Sequence, residues 1–254
     1  MKKYYFYRMT YDTGFAPNAF GKYLTLAACT PNHARSNVNI GGYIIGVEAV
    51  DLANKRKQIR YKTDIEQSLI YVAKISEILT LNEYFNDNRF TYKKIFHNKS
   101  WKEKFGDNVY FKENGMWKWL RGHQHDWERN KQEESQFFHI EEFKKVYENR
   151  GNNNYGALIQ DIKGNRVFVS DEFMYFGDVC LPYLQKKEFI NLLPKGQGTK
   201  CNHNENDLSK FINYIEVLKK EYGYGKHGNP INCRIDNDCT NNSSTIKKSC
   251  DTKK

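Results

Sequence analysis

The sequence predicts an α+β fold with a small β-barrel or a strongly curved mixed sheet, and with helices at its periphery. Segments with strand-like patterns dominate the first half of the chain, whereas helical patterns come later. The two kinds of segment do not alternate regularly, as they would in a doubly wound α/β fold. The chain has 254 residues, of which 39% are hydrophobic, which is enough apolar material for one sizeable core or two small ones.

Four strands are predicted in the first eighty residues. A Tyr- and Phe-rich alternation favours a strand over residues 3–11, and a small apolar run favours a second over 23–30. A double glycine followed by β-branched residues predicts a third strand within 41–50. Alternation over residues 68–79 predicts a long, mostly buried fourth strand, and the basic segment 51–64 before it is interpreted as a surface excursion.

Helices are predicted mainly in the later part of the chain. Thr80 and a glutamate three residues later form a capping box, which predicts a short helix to about residue 87. Further helices are predicted at about 140–149 and 184–192, with a short strand over 166–170 between them. The clearest helical stripe of apolar residues runs through 206–221.

The chain shows no internal repeat, and we expect residues 1–230 to form a single domain. Residues 231–254 consist mainly of Asn, Ser, Thr, Lys and Asp. Such a composition cannot bury enough apolar surface to offset the entropy of ordering, so this tail is predicted to be disordered.

The net charge is unevenly distributed along the chain. It is +10 in total, and fifteen basic but only eight acidic side chains fall in residues 1–100. A surface with excess positive charge attracts polyanions such as nucleic acid or acidic lipid. A basic surface without any polyanion partner is the alternative, but a binding face, where one exists, is expected on the N-terminal part.

Signals for other compartments are absent from the sequence. The N-terminus has no apolar segment typical of a signal peptide, and no apolar run approaches the roughly 18 residues of a membrane span. The six cysteines include no CxxC pair, which argues against a zinc ribbon or a thioredoxin-type redox motif. We therefore expect a cytoplasmic protein with reduced thiols and no membrane partner.

The densest group of potential metal-ligating or acid–base side chains lies in residues 122–128, GHQHDWE. On a strand, His123 and His125 would share one face, with Asp126 close by. No third ligand is indicated, and polar loop residues are the simpler interpretation, so we predict no metal and no cofactor. The three side chains stay weak candidates for acid–base catalysis.

Aromatic residues are more numerous than a core of this size needs. The chain has 18 Tyr, 16 Phe and 4 Trp. Several are predicted in loops, namely Phe15, Phe20, Trp117, Trp119, Trp127, Tyr175 and Phe176. A base that stacks on one exposed ring gains about 1–3 kcal/mol, so two such contacts could hold a base that has left its stack. Most of these rings are nevertheless expected to be structural.

The segment YDTGFAPNAFGKYLTLAACTPNHAR, residues 11–35, resembles the opening block of the second type of nucleotide-modification-associated domain, a bacterial and phage family. That block reads D-x-G-F-A-P-N-x-F, then T-L-A-x-C-x-P and a following Arg. The resemblance extends to about residue 230. It includes residues 42–46, 69–75, 82–90, 106–110, 167–177 and 195–200. Gly42 departs from the family pattern, because it stands where an Asp is usual.

The resemblance implies a setting in systems that make or police modified DNA bases. The order of strands and helix is also similar to EVE and other PUA-like domains, which bind modified bases on a small β-barrel, and this implies a PUA-like fold. We expect DNA or a modified nucleotide as the partner, with protein components of a modification or phage-defence system as possible further partners.

The residues predicted to bind the nucleic acid or its base centre on the loop of residues 12–20. Phe15 would stack on the base, Asp12 and Asn18 would read its polar edges, and Arg35 would contact phosphate or base. Tyr175 and one of two lysines would close the site. The full set is Asp12, Phe15, Asn18, Phe20, Arg35, Tyr43, Tyr175, Lys195 and Lys200.

Two alternatives stay open at this point. One is an enzyme, a base-modifying transferase or a nuclease, that acts on nucleotides with the His/Asp group or with Asp12. The other is a plain small-ligand or protein-interaction module. Recognition of a base is favoured over catalysis, because no nucleophile is evident beside the His/Asp group.

Overall fold

The structure, a computed structural model, describes residues 3–27, 37–59, 67–95, 106–120, 161–179, 181, 187–196 and 198–231. Within these residues the strands are β1 (Tyr4–Met9), β2 (Leu24–Leu26), β3 (Tyr43–Glu48), β4 (Leu69–Lys74), β5 (Glu77–Leu79), β6 (Tyr110–Glu113), β7 (Met116–Trp119), β8 (Val167–Ser170), β9 (Glu172–Tyr175), β10 (Thr199–Lys200) and β11 (Gly225–Lys226). The α-helices are α1 (Val50–Ile59), α2 (Leu81–Asn86) and α3 (Glu205–Tyr222). Short 3₁₀ helices cover Asn88–Lys93, Gly177–Val179 and Lys187–Leu192.

The described strands form a mixed sheet of six, a sheet of three and a two-stranded hairpin. In the largest sheet the order is β10-β1-β3-β4-β9-β11, with β10 antiparallel to β1 and β11 parallel to β9. The order ends on two different strands, so this sheet is not closed into a barrel. The predicted α+β class and mixed sheet are confirmed, and the described strands form an open large sheet rather than the barrel of the other alternative.

The chain divides into two compact units. The first unit comprises Met1–Tyr5, Gly14–Ile44 and Ala73–Phe173, and the second comprises Phe6–Thr13, Ile45–Val72 and Met174–Lys254. The single domain expected over residues 1–230 stays a prediction.

The core of the first unit lies between its small sheet, α2 and the β6–β7 hairpin. Strand β8 pairs antiparallel with β2 on one side and with β5 on the other. Helix α2 begins at the predicted capping box, because the Thr80 hydroxyl accepts the Glu83 N–H while the Glu83 carboxylate accepts the Thr80 N–H. The apolar side chains buried here include Phe15, Phe90, Trp117 and Trp119.

The second unit packs α3 against aromatic residues. The buried face of α3 carries Phe211, Ile215 and Leu218, as the apolar stripe predicts, and the Phe211 ring centroid lies 4.6 Å from that of Phe6. The helix ends at Gly223, whose positive φ of 71° suits glycine. The prediction of a helix over residues 206–221 is confirmed.

Three predictions of secondary structure need correction. The basic segment 51–64 is not a surface excursion where it is described, because α1 occupies residues to Ile59 and buries Arg56 against Glu48 in a bidentate pair of 2.6 and 2.9 Å. The long strand over 68–79 is two strands, β4 and β5, which belong to different sheets. Trp117, Trp119 and Tyr175, expected in loops, lie buried in strands, the two tryptophans in β7 and Tyr175 in β9. The predicted helix at 140–149 and the tail beyond Ile231 lie outside the described residues.

Candidate functional site

Five buried polar residues of the first unit form what we call the polar cluster. They are Asn18, Thr25, Tyr84, Lys93 and Asp107, and each is at most 1% exposed. Buried polar groups are costly unless they are hydrogen-bonded, so their partners determine how this part of the chain is held.

Lys93 connects the loop around Asn18 to the 3₁₀ helix Asn88–Lys93. Its ammonium group donates to the backbone carbonyl and to the side-chain oxygen of Asn18, both at 2.9 Å. Asn18 is in turn paired with Thr25, because the backbone N–H of each donates to the carbonyl of the other at 2.9 Å. One buried cation therefore fixes the loop to the 3₁₀ helix.

Asp107 completes the polar cluster from the segment that precedes β6. Its two carboxylate oxygens accept hydrogen bonds from the hydroxyls of Thr25 and Tyr84, both at 2.7 Å. The neighbouring Asn108 side chain donates to the carbonyls of Tyr84 and Phe90 at 3.1 Å. Asp107 and Asn108 thus bind α2, β2 and the 3₁₀ helix together.

The polar cluster holds opposite charges in a desolvated place. Burial lowers the pKa of Lys93 to about 8, and the negative charge of Asp107 opposes that shift. Burial also raises the pKa of Asp107, while the positive charge of Lys93 and the two hydroxyl hydrogen bonds favour its ionised form. Each charge partly compensates the other, so removing either side chain should lower the free energy of unfolding.

An exposed surface of basic and aromatic residues belongs to the same loop and the same 3₁₀ helix. We call it the Tyr92 surface and define it by Gly21, Lys22, Tyr23, Arg89 and Tyr92. The Lys22 ammonium lies 5.3 Å and the Arg89 guanidinium 6.0 Å from the centroid of the Tyr23 ring. Arg89 and Tyr92 are three residues apart, which places them on one side of a 3₁₀ helix.

Residues 1–237 match the family model of nucleotide modification associated domain 2. The chain belongs to this family. The resemblance noted in the sequence is thereby confirmed, and the match includes both the polar cluster and the Tyr92 surface. No curated protein and no solved structure matches the chain.

Within this nucleotide-modification-associated domain, four residues predicted to bind a base lie in the first unit. Asn18 belongs to the polar cluster, and the Phe20 N–H donates to its side-chain oxygen at 3.2 Å. Phe15 is 2% exposed within the core, so a base could stack on its ring only after the core opened. Tyr43 stacks on Tyr4, with 4.7 Å between the ring centroids.

The other described candidates lie in the second unit of the domain. Asp12 and Tyr175 come together there, because the Tyr175 hydroxyl donates to the Asp12 carboxylate at 2.6 Å. Lys200 lies in the edge strand β10, where its ammonium donates to the carbonyl of Asn191, and Lys195 is exposed. The binding roles of these residues stay predictions.

The pKa of the Asp12 carboxyl is raised far above its ordinary value. Burial raises its pKa to about 7, although the hydrogen bonds from Tyr175 and from the Ile231 N–H at 3.0 Å act in the opposite direction. The negative charges of Asp178 and Glu48 add to the rise. This carboxyl therefore changes charge near neutral pH.

The remaining candidates cannot be placed. Arg35, His123, His125 and Asp126 lie outside the described residues. Within the described part of the chain, no group of three or more His, Cys, Asp or Glu side chains is arranged to hold a metal ion. Among the described helices, none combines the length and the apolar character needed to cross a membrane.

Sequence reasoning missed Lys93 and Asp107 of the polar cluster and Tyr92 at the surface. A signal for Tyr84 and Asp107 was present, because both lie in segments that carry the family resemblance, 82–90 and 106–110. Tyr92 and Lys93 lie just beyond those segments in a charged, aromatic stretch without clear periodicity.

Proposed function

We propose that this domain binds a nucleobase or nucleotide in DNA, as the recognition component of a DNA base-modification or phage-defence system. The observation that carries the proposal is the Tyr92 surface, where exposed cations lie beside aromatic rings on a loop that buried hydrogen bonds hold in place. Membership in a nucleotide-modification-associated family favours the same ligand class.

The chemistry of the Tyr92 surface suits the two parts of a nucleotide. Lysine and arginine bind phosphate, and tyrosine rings stack on bases. Within the described residues, no carboxylate pairs with Lys22, so its charge is available to a phosphate. Arg89 is held by Asp87 and Glu77 at 2.6 and 3.0 Å, which orients its guanidinium, but these two carboxylates outweigh its charge, so Lys22 is the cation that this surface offers to a phosphate.

The polar cluster supports this binding surface from beneath. Because Lys93 and Asn18 fix the loop to the 3₁₀ helix, the backbone that carries Lys22 and Arg89 is ordered before any ligand arrives. A surface that is already ordered loses less conformational entropy on binding.

Titration of labelled DNA oligonucleotides, with plain and modified bases, at about 50 and 200 mM salt tests the proposal. We expect binding that weakens with salt, and Lys22→Ala should weaken it for all sequences and reduce the salt slope by about one unit. The matched control is Lys220→Ala, which removes an equally charged, exposed lysine from α3. Absence of binding at low salt, or equal losses in both variants, would contradict the proposal.

A catalytic role for this domain stays a prediction from the sequence. Its main candidates, His123, His125 and Asp126, lie outside the described residues. Asp12 has a pKa suited to proton transfer at neutral pH, but its described contacts are with groups of the domain itself.

A further inference from the structure

The Tyr92 ring is fixed in position although it lies at the surface. Burial raises the pKa of its hydroxyl, and the nearby backbone N–H groups of Tyr23 and Lys22 oppose that rise, while Cε2, Cζ and the hydroxyl of the ring pack on Gly21. The side chain is nevertheless 40% exposed. Exposed tyrosines normally keep rotational freedom, so a ring that is both anchored and open is pre-ordered for contact.

Gly21 allows the close approach of this ring to the loop. A Cβ atom at residue 21 would lie 2.4 Å from Cε2 of Tyr92 and 2.7 Å from Cζ, which is far inside van der Waals contact. The glycine also has a φ of +79°, a conformation that other residues rarely adopt. The outer end of the Tyr92 ring therefore packs directly on the backbone.

A buried cation lies close to the same ring. The ammonium group of Lys93 is 5.5 Å from the ring centroid, and Lys93 itself is only 1% exposed. The hydrogen bonds of Lys93 to Asn18 hold this ammonium in place. Tyr92 is thus supported by the polar cluster and by Gly21, and its exposed area is what remains for a ligand.

The flat ring of an exposed tyrosine is suited to the face of a base rather than to its edge. In an intact duplex the base faces are covered by neighbouring base pairs, and a protein reaches only groove edges and phosphates. A base in a single strand, or one that has left the helix, offers its face, and every base has one. Lys22, which lies on the loop against which Tyr92 packs, can bind a phosphate next to such a base.

We propose that the Tyr92 surface takes an unpaired base, in single-stranded DNA or extruded from a duplex, and stacks it on Tyr92. This inference rests on the proposed function and deepens it, because it names the form of DNA that the domain recognises. A single exposed ring is sequence-tolerant, so stacking supplies affinity for the unpaired base and not by itself discrimination among bases.

The test compares one short DNA sequence in three forms: single strand, perfect duplex, and duplex with a mismatch at the central base. A 2-aminopurine at that base reports stacking through its fluorescence. We expect the single strand and the mismatched duplex to bind at least tenfold more tightly than the perfect duplex. Tyr92→Leu should weaken single-strand binding about 5- to 150-fold, the equivalent of one lost stacking contact.

Controls separate stacking from folding and from general binding. Tyr92→Phe keeps the ring and should retain most of the affinity, while Tyr224→Leu removes a tyrosine of similar exposure, 45%, from the second unit and should change nothing. The comparison of the three DNA forms needs only the unaltered protein, so it stays decisive even where a variant is unstable.

The outcomes distinguish the inference from the function on which it rests. Equal or tighter binding to the perfect duplex, or single-strand binding that Tyr92→Leu leaves unchanged in a folded protein, would overturn stacking on Tyr92 while DNA binding stands. Failure to bind any of the three forms at low salt would overturn the proposed function itself.

Discussion

The polar cluster of the first unit and the Asp12 group of the second unit use buried charge differently. In the polar cluster, Lys93 and Asp107 hold a loop and a 3₁₀ helix whose outer residues are exposed cations and aromatic rings. In the second unit, Asp12 accepts hydrogen bonds from Tyr175 and from the backbone N–H of Ile231. The polar cluster supports the Tyr92 surface, and Asp12 anchors the segment that contains Ile231.

The segment anchored by Asp12, residues 227–231, has several further attachments. The N–H of His227 donates to the Tyr175 carbonyl at 2.8 Å, and the N–H of Asn229 donates to the Asp178 carboxylate at 2.9 Å. Gly228 packs so closely that a Cβ there would lie 1.8 Å from the Phe176 carbonyl oxygen. The raised pKa of Asp12 therefore has a structural explanation, because the carboxyl is buried and its hydrogen bond from Ile231 belongs to the attachment of residues 227–231.

The comparison shows that a perturbed pKa alone does not identify a binding site. Both regions contain buried titratable groups with shifted pKa values. The polar cluster holds the segments that carry the exposed residues Lys22 and Tyr92, whereas the described hydrogen bonds of Asp12 are with Tyr175 and Ile231 of the domain itself.

The largest expected effect comes from removal of the buried cation. Lys93→Met leaves Asp107 buried without its compensating charge and releases the loop at Asn18, so the free energy of unfolding should fall by about 3–5 kcal/mol. DNA binding should fall with it. Urea unfolding measures the first effect and the oligonucleotide titration the second.

The adjacent lysine provides the control for that substitution. Lys94 is only partly buried and its ammonium lies 3.9 Å from the Phe85 ring centroid, so Lys94→Met should cost about 1 kcal/mol or less. Equal stability of the two variants would show that Asp107 does not depend on the Lys93 charge, and the distinction between the two regions would be lost.

The second prediction concerns pH and the Asp12 group. The pKa of Asp12 is about 7 in the folded state against 3.8 for an ordinary aspartate side chain, so the folded state keeps a proton that the unfolded chain releases. Stability from this group is therefore greatest below about pH 4 and falls as pH rises toward 7, by on the order of 4 kcal/mol at most.

Asp12→Asn isolates this contribution. Burial also raises the pKa values of Glu48 and Asp107, so these groups change the stability with pH in the same direction. The contribution of Asp12 is therefore the difference in pH dependence between the unaltered protein and Asp12→Asn. We expect the slope of the unfolding free energy between pH 4 and 7 to be smaller in Asp12→Asn than in the unaltered protein. The same slope in both proteins would contradict an anchoring role for Asp12.

The smallest expected effect on stability comes from alanine substitutions at two glycines, Gly21 and Gly115. Comparing the two variants distinguishes the cost of backbone strain from the effect of displacing the Tyr92 ring. Gly21→Ala and Gly115→Ala both place a Cβ at a φ near +80°, which costs about 1–2 kcal/mol. Only at Gly21 does the new Cβ meet the Tyr92 ring, because Gly115 has nothing within 4 Å. We expect similar losses in melting temperature, but weaker single-strand binding, about tenfold, for Gly21→Ala alone.

The features predicted correctly from the sequence are those with short-range causes. The capping box at Thr80 joins residues three positions apart, and the apolar face of α3 repeats within one helix. The polar cluster depends on partners 75 and 82 positions apart along the chain, Lys93 with Asn18 and Thr25 with Asp107. No periodicity in the sequence relates such partners.

Burial of charge was the main point that pattern reasoning missed. Arg56 lies in a strongly basic segment, which favours an exposed position, yet Glu48 at the end of β3 satisfies its guanidinium in the core. Lys93 is a second buried cation in a basic stretch of sequence. The nearby basic residues Arg89 and Lys94 stay at least partly exposed, so the sequence does not show which of the three is buried.

The sequence by itself determined the α+β class, the family, and the position of α2 and of α3, because apolar periodicity and capping act within a few residues. Only the tertiary structure decided that the large sheet is open, that Phe15 is buried, and which lysine is buried and which is exposed. The physical reason is that desolvation of a charge is tolerated only where partners from distant segments meet it.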